Sequence, residues 1–285
     1  MIVRVAESAG FCFGIERAVK TVYEQLDGGK KVYTFGPITH NETVCGELEE
    51  KGVHILNDIS EVDGIKDSVI IIRSHGVSRD IYDRLKETEQ SGSNTIIDAT
   101  CTFVKKIHKT VAEKSAEGFE VIIVGDMTHP EVQGICGWCK KSAIVVKSAD
   151  EAKKINADSE KNYVLVAQTT FNSNKFKEIV EILQQTLYNI LVVNSICNAT
   201  EKRQRETVEL ARISDAMIVI GGKHSSNTKK LFEISEKECK DTYYIQTRDD
   251  LNLEEFKSFR CVGITAGAST PKSIIKEVQE LCQRK

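Results

Sequence analysis

With 285 residues, the chain is long enough to form two or three domains with cores of their own. Its 40% hydrophobic and 28% charged residues, with only 3 prolines, exclude an intrinsically disordered chain and a long proline-rich linker. The formal net charge of −3 gives no reason to expect binding to nucleic acid or to a membrane surface.

The first residues resemble a strand rather than a targeting signal. The segment MIVRVAESAG alternates in polarity and lacks the long apolar core of a signal peptide. No run in the chain approaches the roughly 18 apolar residues of a transmembrane helix. We therefore predict a cytoplasmic protein.

Short apolar strands alternate with helices along the whole chain. Residues 2–6 are predicted as a strand, and apolar residues from Ile15 to Leu26 then recur at three- and four-residue steps, as on a helix with one buried face. Strands at 32–35 and 69–72 follow, each leading into a polar loop and a helix. The further predicted strands are 95–97, 121–124, 163–167, 190–193, 217–220 and 261–265. This alternation predicts parallel α/β sheets.

A threefold internal repeat organises these strands. Cys12, Cys101 and Cys197 each lie between an apolar strand and a helical stretch, at separations of 89 and 96 residues. The same separations recur from His40 to His129 and from His129 to Ser225. We therefore predict an α/β fold of three similar parallel-sheet domains in a pseudo-threefold, trefoil arrangement. The predicted domains are residues 14–101, 102–196 and 197–285, with the strand in residues 1–13 packing on the third.

The polar loops of the repeat follow the predicted strands. A third and looser triplet consists of His75, Thr169 and Ser269. In open parallel sheets, ligands bind beyond the carboxyl ends of the strands. We therefore expect the loops of the three repeats to converge on one central pocket.

The three repeated cysteines are candidate metal ligands. Backbone amides and the helix dipole at the start of a helix favour a thiolate, which is the ligating form of cysteine. Three converging thiolates suit either a zinc ion or an iron–sulfur cluster. Because iron–sulfur cubanes usually take four cysteines, three would leave one iron open to a substrate.

A competing cysteine motif is CysGlyTrpCys at 136–139. A C-x-x-C sequence can be a redox pair or half of a zinc knuckle. No second pair lies at knuckle spacing, and the motif does not open the first helix of the chain. Both functions are therefore disfavoured for it.

The third repeat offers small hydrogen-bond donors in place of histidine. Ser225, Ser226, Asn227 and Ser269, with backbone amides at helix starts, suit a phosphate or diphosphate. The chain contains no P-loop, which disfavours nucleotide hydrolysis.

One carboxylate is a candidate general acid. Glu131 lies two residues after His129 in a polar loop, and a carboxyl group in a shielded pocket can hold its proton near neutral pH. Glu42, which follows His40 in the first repeat, is the weaker alternative.

Several motifs match a known family in its order and over nearly the whole chain. They are GFCFGIERA, GPITHNE, SHGV, DATC, HPEVQG, QTT, ICNAT, SSN and ITAGAS. On these stretches the chain resembles the LytB/IspH family, the 4-hydroxy-3-methylbut-2-enyl diphosphate reductases. The resemblance implies an iron–sulfur reductase that removes the allylic hydroxyl of this substrate with two electrons and two protons. The products would be isopentenyl diphosphate and dimethylallyl diphosphate, at the last step of the non-mevalonate isoprenoid pathway.

The resemblance also implies roles for individual residues. A 4Fe–4S cluster would be held by Cys12, Cys101 and Cys197, with one iron open to substrate, and Glu131 would supply the proton. A flavodoxin or ferredoxin would donate the electrons. The residues implied to bind the substrate are His40, His75, His129, Thr169, Ser225, Ser226, Asn227 and Ser269.

Two other functions remain open at this point. A three-cysteine cluster could act only as a Lewis acid, as in iron–sulfur dehydratases or quinolinate synthase, and would then turn over without an external electron donor. A non-enzymatic iron–sulfur electron carrier or redox sensor is disfavoured, because a carrier needs no pocket lined by polar loops.

Overall fold

The computed structural model describes residues 1–156 and 158–283. Residue 157 of the predicted second domain and residues 284 and 285 of the third lie outside the described residues. Within the described ranges, the strands are β1 (Ile2–Val5), β2 (Lys31–Phe35), β3 (Val53–Leu56), β4 (Ser68–Ile72), β5 (Asn94–Asp98), β6 (Glu120–Val124), β7 (Ile144–Val146), β8 (Tyr163–Ala167), β9 (Ile190–Val192), β10 (Ala216–Ile220), β11 (Thr242–Ile245) and β12 (Cys261–Ala266). The α-helices are α1 (Phe13–Leu26), α2 (Glu42–Glu50), α3 (Arg79–Gln90), α4 (Thr102–Ala116), α5 (Pro130–Gly137), α6 (Ala149–Ala152), α7 (Ser173–Thr186), α8 (Asn198–Arg212), α9 (Ser226–Glu238) and α10 (Lys272–Gln283).

The strands pair in parallel and form three sheets. Their orders are β3-β2-β4-β5, β7-β6-β8-β9 and β11-β10-β12-β1. Each sheet lies among helices, so the predicted class of parallel-sheet α/β domains is confirmed.

Every sheet places its motifs in the same way. One edge strand (β5, β9 or β1) leads to a repeated cysteine, and the two inner strands lead to the polar loops. The other edge strand (β3, β7 or β11) precedes no motif and was not predicted. β1, the first strand of the chain, pairs with β12 and holds the position that β5 and β9 hold in their sheets.

The inner strands form the cores because both of their faces are covered. Ile70, Ile71 and Ile72 of β4 are fully buried, and all residues of β8 and β10 are buried as well. Continuous apolar runs of this kind are the pattern expected for central parallel strands.

The chain divides into two compact units. The first unit comprises Met1–Glu16, Thr39–Leu48 and the stretch that begins at Asn198, and it contains the sheet of β1. The second unit comprises Arg17–Ile38 and Glu49–Cys197, and it contains the other two sheets. Among the described residues, no helix is both long and apolar enough to cross a membrane.

Candidate active site

A buried carboxyl group is the principal feature of the second unit. Glu131 lies in the first turn of α5, and only 1% of its surface is exposed. Thr169, which follows β8, donates to it twice, from its N–H at 2.6 Å and from its hydroxyl at 2.7 Å. Burial raises the pKa of Glu131 to about 7, although the two hydrogen bonds oppose this rise. The group therefore exchanges a proton near neutral pH.

Two predicted histidines lie close to each other in the same unit. The rings of His75 and His129 meet edge to face, with their centroids 5.4 Å apart. His129 precedes α5, and its Nδ1 accepts the N–H of Glu131 at 3.1 Å. In the neutral ring the proton is thus on Nε2, which can donate to a ligand.

Cys101 occupies the start of α4, as the repeat predicted. Its carbonyl accepts the N–H of Lys105 at 2.9 Å, and its own N–H donates to the carbonyl of Ser74 at 2.9 Å. Ser74 directly precedes His75. The His75 loop and the Cys101 segment are therefore held together by the main chain.

The His75 loop depends on a glycine. Gly76 has φ of 71°, and a Cβ atom there would lie 2.7 Å from Cε1 of His108. His108 is buried and stacks on Trp138, with ring centroids 5.2 Å apart. Only glycine fits this backbone and this contact.

One residue, Thr169, forms hydrogen bonds with both Cys197 and the carboxyl group of Glu131. The N–H of Cys197 donates to the carbonyl of Thr169 at 3.1 Å, and α8 begins at the next residue, Asn198. Thr169 therefore connects the segment of Cys197 to Glu131.

Cys12 lies in the first unit at the start of α1. Its N–H donates to the carbonyl of Ala268 at 3.2 Å, and its carbonyl accepts the N–H of Glu16 at 2.9 Å. The side chain is half-buried, like those of Cys101 and Cys197.

The serine-rich loop of the first unit surrounds the start of α9. Ser225 caps this helix, and its Oγ accepts the N–H of Thr228 at 3.2 Å and the hydroxyl of Thr228 at 2.8 Å. A Cβ atom on Gly267 would lie 2.0 Å from Oγ1 of Thr228 and 3.6 Å from Oγ of Ser225. The ITAGAS loop thus packs closely on the start of α9, with Ser269 buried.

Asn227 has the strongest indication of a ligand-binding role. It is 4% exposed, and neither its amide oxygen nor its amide nitrogen has a hydrogen-bond partner within the described residues. Buried polar atoms normally have partners, so an amide of this kind points to a bound polar group.

The His40 segment also belongs to the first unit and lies against this serine-rich region. A Cβ atom on Gly222 would lie 2.4 Å from the carbonyl oxygen of His40 and 3.1 Å from Cα of Asn41. Asn41 caps α2 by accepting the N–H of Val44 at 3.2 Å. Close backbone packing therefore joins GPITHNE to GGKHSSN.

The structure thus brings several predicted residues together within each unit. Glu131 meets Thr169, and His75 meets His129. Ser226 and Asn227 open α9 directly after Ser225. That all the loops converge on one pocket stays a prediction.

The surroundings of Glu42 do not suit a general acid, and those of Cys136 and Cys139 do not suit a redox pair. The side chain of Glu42 is 44% exposed and accepts from Nε2 of Gln246 at 2.8 Å. Burial raises the pKa of the Cys136 thiol, and it raises that of Cys139 to about 12. Redox-active C-x-x-C pairs have lowered pKa values, so the raised pKa values of these two thiols do not favour a redox role.

Sequence reasoning missed two charged residues that organise the Cys12 segment. Arg203 and Glu206 lie one turn apart on α8, and both bind the backbone between β1 and Cys12. Charged residues in a helix such as NATEKRQRE are normally assigned to a solvated face. The 2% exposure of Arg203 became evident only in the structure.

The three repeated cysteines fit an iron–sulfur group by their chemistry. All three are half-buried at helix starts, and sulfur is the ligand type that iron–sulfur groups take. With the parallel sheets, the polar loops at strand ends and the shielded carboxyl group, they define an α/β enzyme of the metal-dependent class.

The chain belongs to the LytB protein family, whose model matches residues 3–283. The family is one of iron–sulfur enzymes, and the resemblance inferred from the motifs is confirmed. A protein of Clostridioides difficile named 4-hydroxy-3-methylbut-2-enyl diphosphate reductase is 44% identical over 279 residues, covering 98% of both chains. A protein of the same name from Caldanaerobacter subterraneus is 45% identical over 282 residues, covering 98% of this chain and 96% of its own.

Solved structures agree with these relatives. The structure of the E-1-hydroxy-2-methyl-but-2-enyl-4-diphosphate reductase from Plasmodium falciparum matches with a TM-score of 0.90 at 30% identity, covering 98% of this chain and 87% of that one. A structure described as (E)-4-hydroxy-3-methyl-but-2-enyl diphosphate reductase, the terminal enzyme of the non-mevalonate pathway, matches with a TM-score of 0.70 at 39% identity and covers both chains completely.

Proposed function

We propose that this protein reductively dehydroxylates (E)-4-hydroxy-3-methylbut-2-enyl diphosphate to isopentenyl diphosphate and dimethylallyl diphosphate, the last step of the non-mevalonate pathway. Membership of the family and the names of its relatives support this substrate. The observation that carries the chemistry is Glu131, a fully buried carboxyl group whose pKa is raised to about 7.

The reaction needs a proton donor beside a leaving oxygen. Two electrons and two protons enter, the allylic C–O bond breaks, one proton leaves with the oxygen as water, and the other is added to the carbon skeleton. Protonated Glu131 would give its proton to that oxygen. The N–H and hydroxyl of Thr169, at 2.6 and 2.7 Å, would then stabilise the carboxylate that remains.

Hydrogen-bond donors would hold the rest of the substrate. The proposed diphosphate ligands are His40, His75, Ser225, Ser226, Asn227 and Ser269. Asn227 supports this role because its buried amide has no partner within the described part of the chain. His129, whose Nε2 can donate, and Thr169 would lie nearer to the reacting carbon atoms.

The three cysteines would hold the redox group. We assign Cys12, Cys101 and Cys197 as ligands of a single 4Fe–4S cluster, because all three are half-buried and precede or open a helix. When bound, this cluster would pass the donor's electrons to the substrate and would act on its hydroxyl group as a Lewis acid. A flavodoxin or ferredoxin in the cytoplasm would be the external donor.

Anaerobic turnover of the hydroxymethylbutenyl diphosphate by reconstituted protein, with and without a chemical reductant, tests the proposal. We expect the two five-carbon diphosphates only when reductant is present. Turnover without reductant would favour a Lewis-acid dehydratase. No product from protein with full iron and sulfide content would refute the substrate.

A further inference from the structure

The segment that leads to Cys12 is held from outside by one helix. Residues 6–12 connect β1 to α1 and have no regular secondary structure. Gly10 turns the chain with φ of 103°. Fixed geometry in such a segment has to come from contacts with neighbouring elements, and α8 provides several of them.

Arg203 of α8 binds two carbonyl groups of this segment. Its Nε and Nη2 donate to the carbonyl of Ser8 at 2.9 and 2.5 Å, and Nη2 also donates to the carbonyl of Gly10 at 2.7 Å. The side chain is 2% exposed. A planar guanidinium can reach two carbonyls at once, whereas the ammonium of lysine is a single point charge.

Glu206, one turn further along α8, binds the remaining polar groups of the same residue. Its Oε2 accepts the N–H of Ser8 at 2.9 Å and also its hydroxyl, and its Oε1 accepts the N–H of Glu7. Burial alone would raise the pKa of Glu206, but the hydrogen bonds from Ser8 and Glu7 hold it below its usual value. The N–H, the carbonyl and the hydroxyl of Ser8 are therefore all bound by α8.

We propose that Arg203 and Glu206 are positioning residues that fix the Cys12 thiolate for the metal group. This inference rests on the assignment of Cys12 as a ligand. Cys12 lies four positions after Ser8 in the chain, and its N–H is itself held by the carbonyl of Ala268. The segment is thus bound on both sides of its turn, which orders the ligand before the metal arrives.

The same helix follows the third cysteine in the chain. α8 begins at Asn198, directly after Cys197. Groups that orient a ligand without touching the metal usually matter about 10- to 100-fold for metal affinity or activity.

The test compares Arg203→Lys with Arg212→Lys on the same helix. Arg212 is 62% exposed and pairs with Glu238 at 2.9 Å, so its replacement leaves the Cys12 segment untouched. Glu206→Gln, matched with the exposed Glu209→Gln, is a gentler second pair in case Arg203→Lys folds poorly. Each variant is prepared metal-free and after anaerobic reconstitution.

In metal-free protein, the alkylation rate of Cys12 relative to Cys101 is measured by mass spectrometry, together with amide hydrogen exchange in residues 7–12. We expect Arg203→Lys and Glu206→Gln to raise both several-fold, and the control variants to match the wild type. In reconstituted protein, we expect a chelator to remove iron roughly 10-fold or more faster from the two test variants, with a changed electron paramagnetic resonance signal.

Equal alkylation, exchange and iron release in test and control variants would overturn the inference. These measurements do not need turnover. The wild type could lack reductase activity while Arg203→Lys still raises the alkylation rate of Cys12 and the rate of iron release. In that case the proposed function fails and the positioning role stands.

Discussion

Thr169 donates both its N–H, at 2.6 Å, and its hydroxyl, at 2.7 Å, to the carboxyl group of Glu131. The two residues come from different strand ends of one sheet and are 38 positions apart. Burial favours the protonated acid and these donors favour the carboxylate, so neither form is strongly excluded near pH 7. A proton donor needs this balance, because it has to be protonated before transfer and stable afterwards.

Glu131→Gln should remove turnover without removing the metal group. An amide keeps the shape of the side chain but has no proton to transfer, so kcat should fall by roughly 10²- to 10⁴-fold. Iron content and visible absorption should remain at the wild-type level. The control is Glu42→Gln, at an exposed carboxylate, which should retain near-normal kcat. Near-normal turnover in Glu131→Gln would discard its assignment as the acid.

Glu131 should also make stability depend on pH. Its pKa rises from 4.5 to about 7 on folding, so between these values the unfolded chain releases a proton that the folded protein keeps. The free energy of unfolding should therefore fall as pH rises through this window, by on the order of 3 kcal/mol for this group. The stabilising contribution of Glu131 to the free energy of unfolding is fully present below about pH 4.5 and is lost above about pH 7.

Urea unfolding of metal-free protein at pH 5 and pH 8 measures this slope as the difference between wild type and Glu131→Gln. Other titrating groups cancel in that comparison. Glu209→Gln, at an exposed position, should reproduce the wild-type slope. A slope unchanged by Glu131→Gln would mean that the folded protein does not raise this pKa.

The strands that lead to the motifs could be predicted within one residue of their ends. The inner strands among them are largely apolar because both of their faces are covered, and this pattern is visible in the sequence. The edge strands β1, β5 and β9 are short apolar or alternating segments in front of the repeated cysteines. β3, β7 and β11 could not be predicted in this way. They are short edge strands, and β11 is mostly half-exposed, so their sequences carry too few buried positions to stand out.

Residues that recur in the internal repeat could be identified as candidates from the sequence. The contacts between these residues could not. Glu131 and Thr169 were each identified from their loops, but nothing in the sequence pairs them. Arg203 was missed because an arginine in a charged helix normally faces water, whereas here it binds main-chain carbonyls that lie 195 and 193 positions away. Long-range contacts of this kind follow from the fold and not from local patterns.

Gly76→Ala should destabilise the protein more than a positive φ alone explains. The new Cβ would lie 2.7 Å from Cε1 of His108 and 3.0 Å from Cγ2 of Thr100. Gly52→Ala is the matched control, because Gly52 has φ of 93° and nothing within 4 Å of a Cβ atom. We expect roughly 1 kcal/mol of destabilisation in the control and about 1–3 kcal/mol more in Gly76→Ala.

Chemical denaturation measures both variants, and a double-mutant cycle identifies the cause. His108→Ala removes the imidazole that the new methyl group would meet, so the cost of Gly76→Ala should shrink towards that of Gly52→Ala in this background. An unchanged cost would assign the requirement for glycine to the backbone alone.

Asn227→Ala should weaken substrate binding with little effect on folding. Its amide is buried without a hydrogen-bond partner in the described structure, so truncation removes no hydrogen bond of that amide. The free energy of unfolding should change by less than about 1 kcal/mol, because relief of the unpaired amide offsets the small cavity. KM should rise at least about 10-fold, since a lost hydrogen bond to a charged group is worth about 1.5–3 kcal/mol.

Asn172→Ala is the control for folding. Oδ1 of Asn172 accepts the N–H groups of Asn174 and Lys175, each at 3.0 Å, so its loss should cost about 1 kcal/mol of stability. Urea unfolding of both variants, with steady-state kinetics and calorimetric binding of inorganic diphosphate for Asn227→Ala, gives the comparison. A clear loss of stability with unchanged KM would make Asn227 a structural residue and remove it from the diphosphate site.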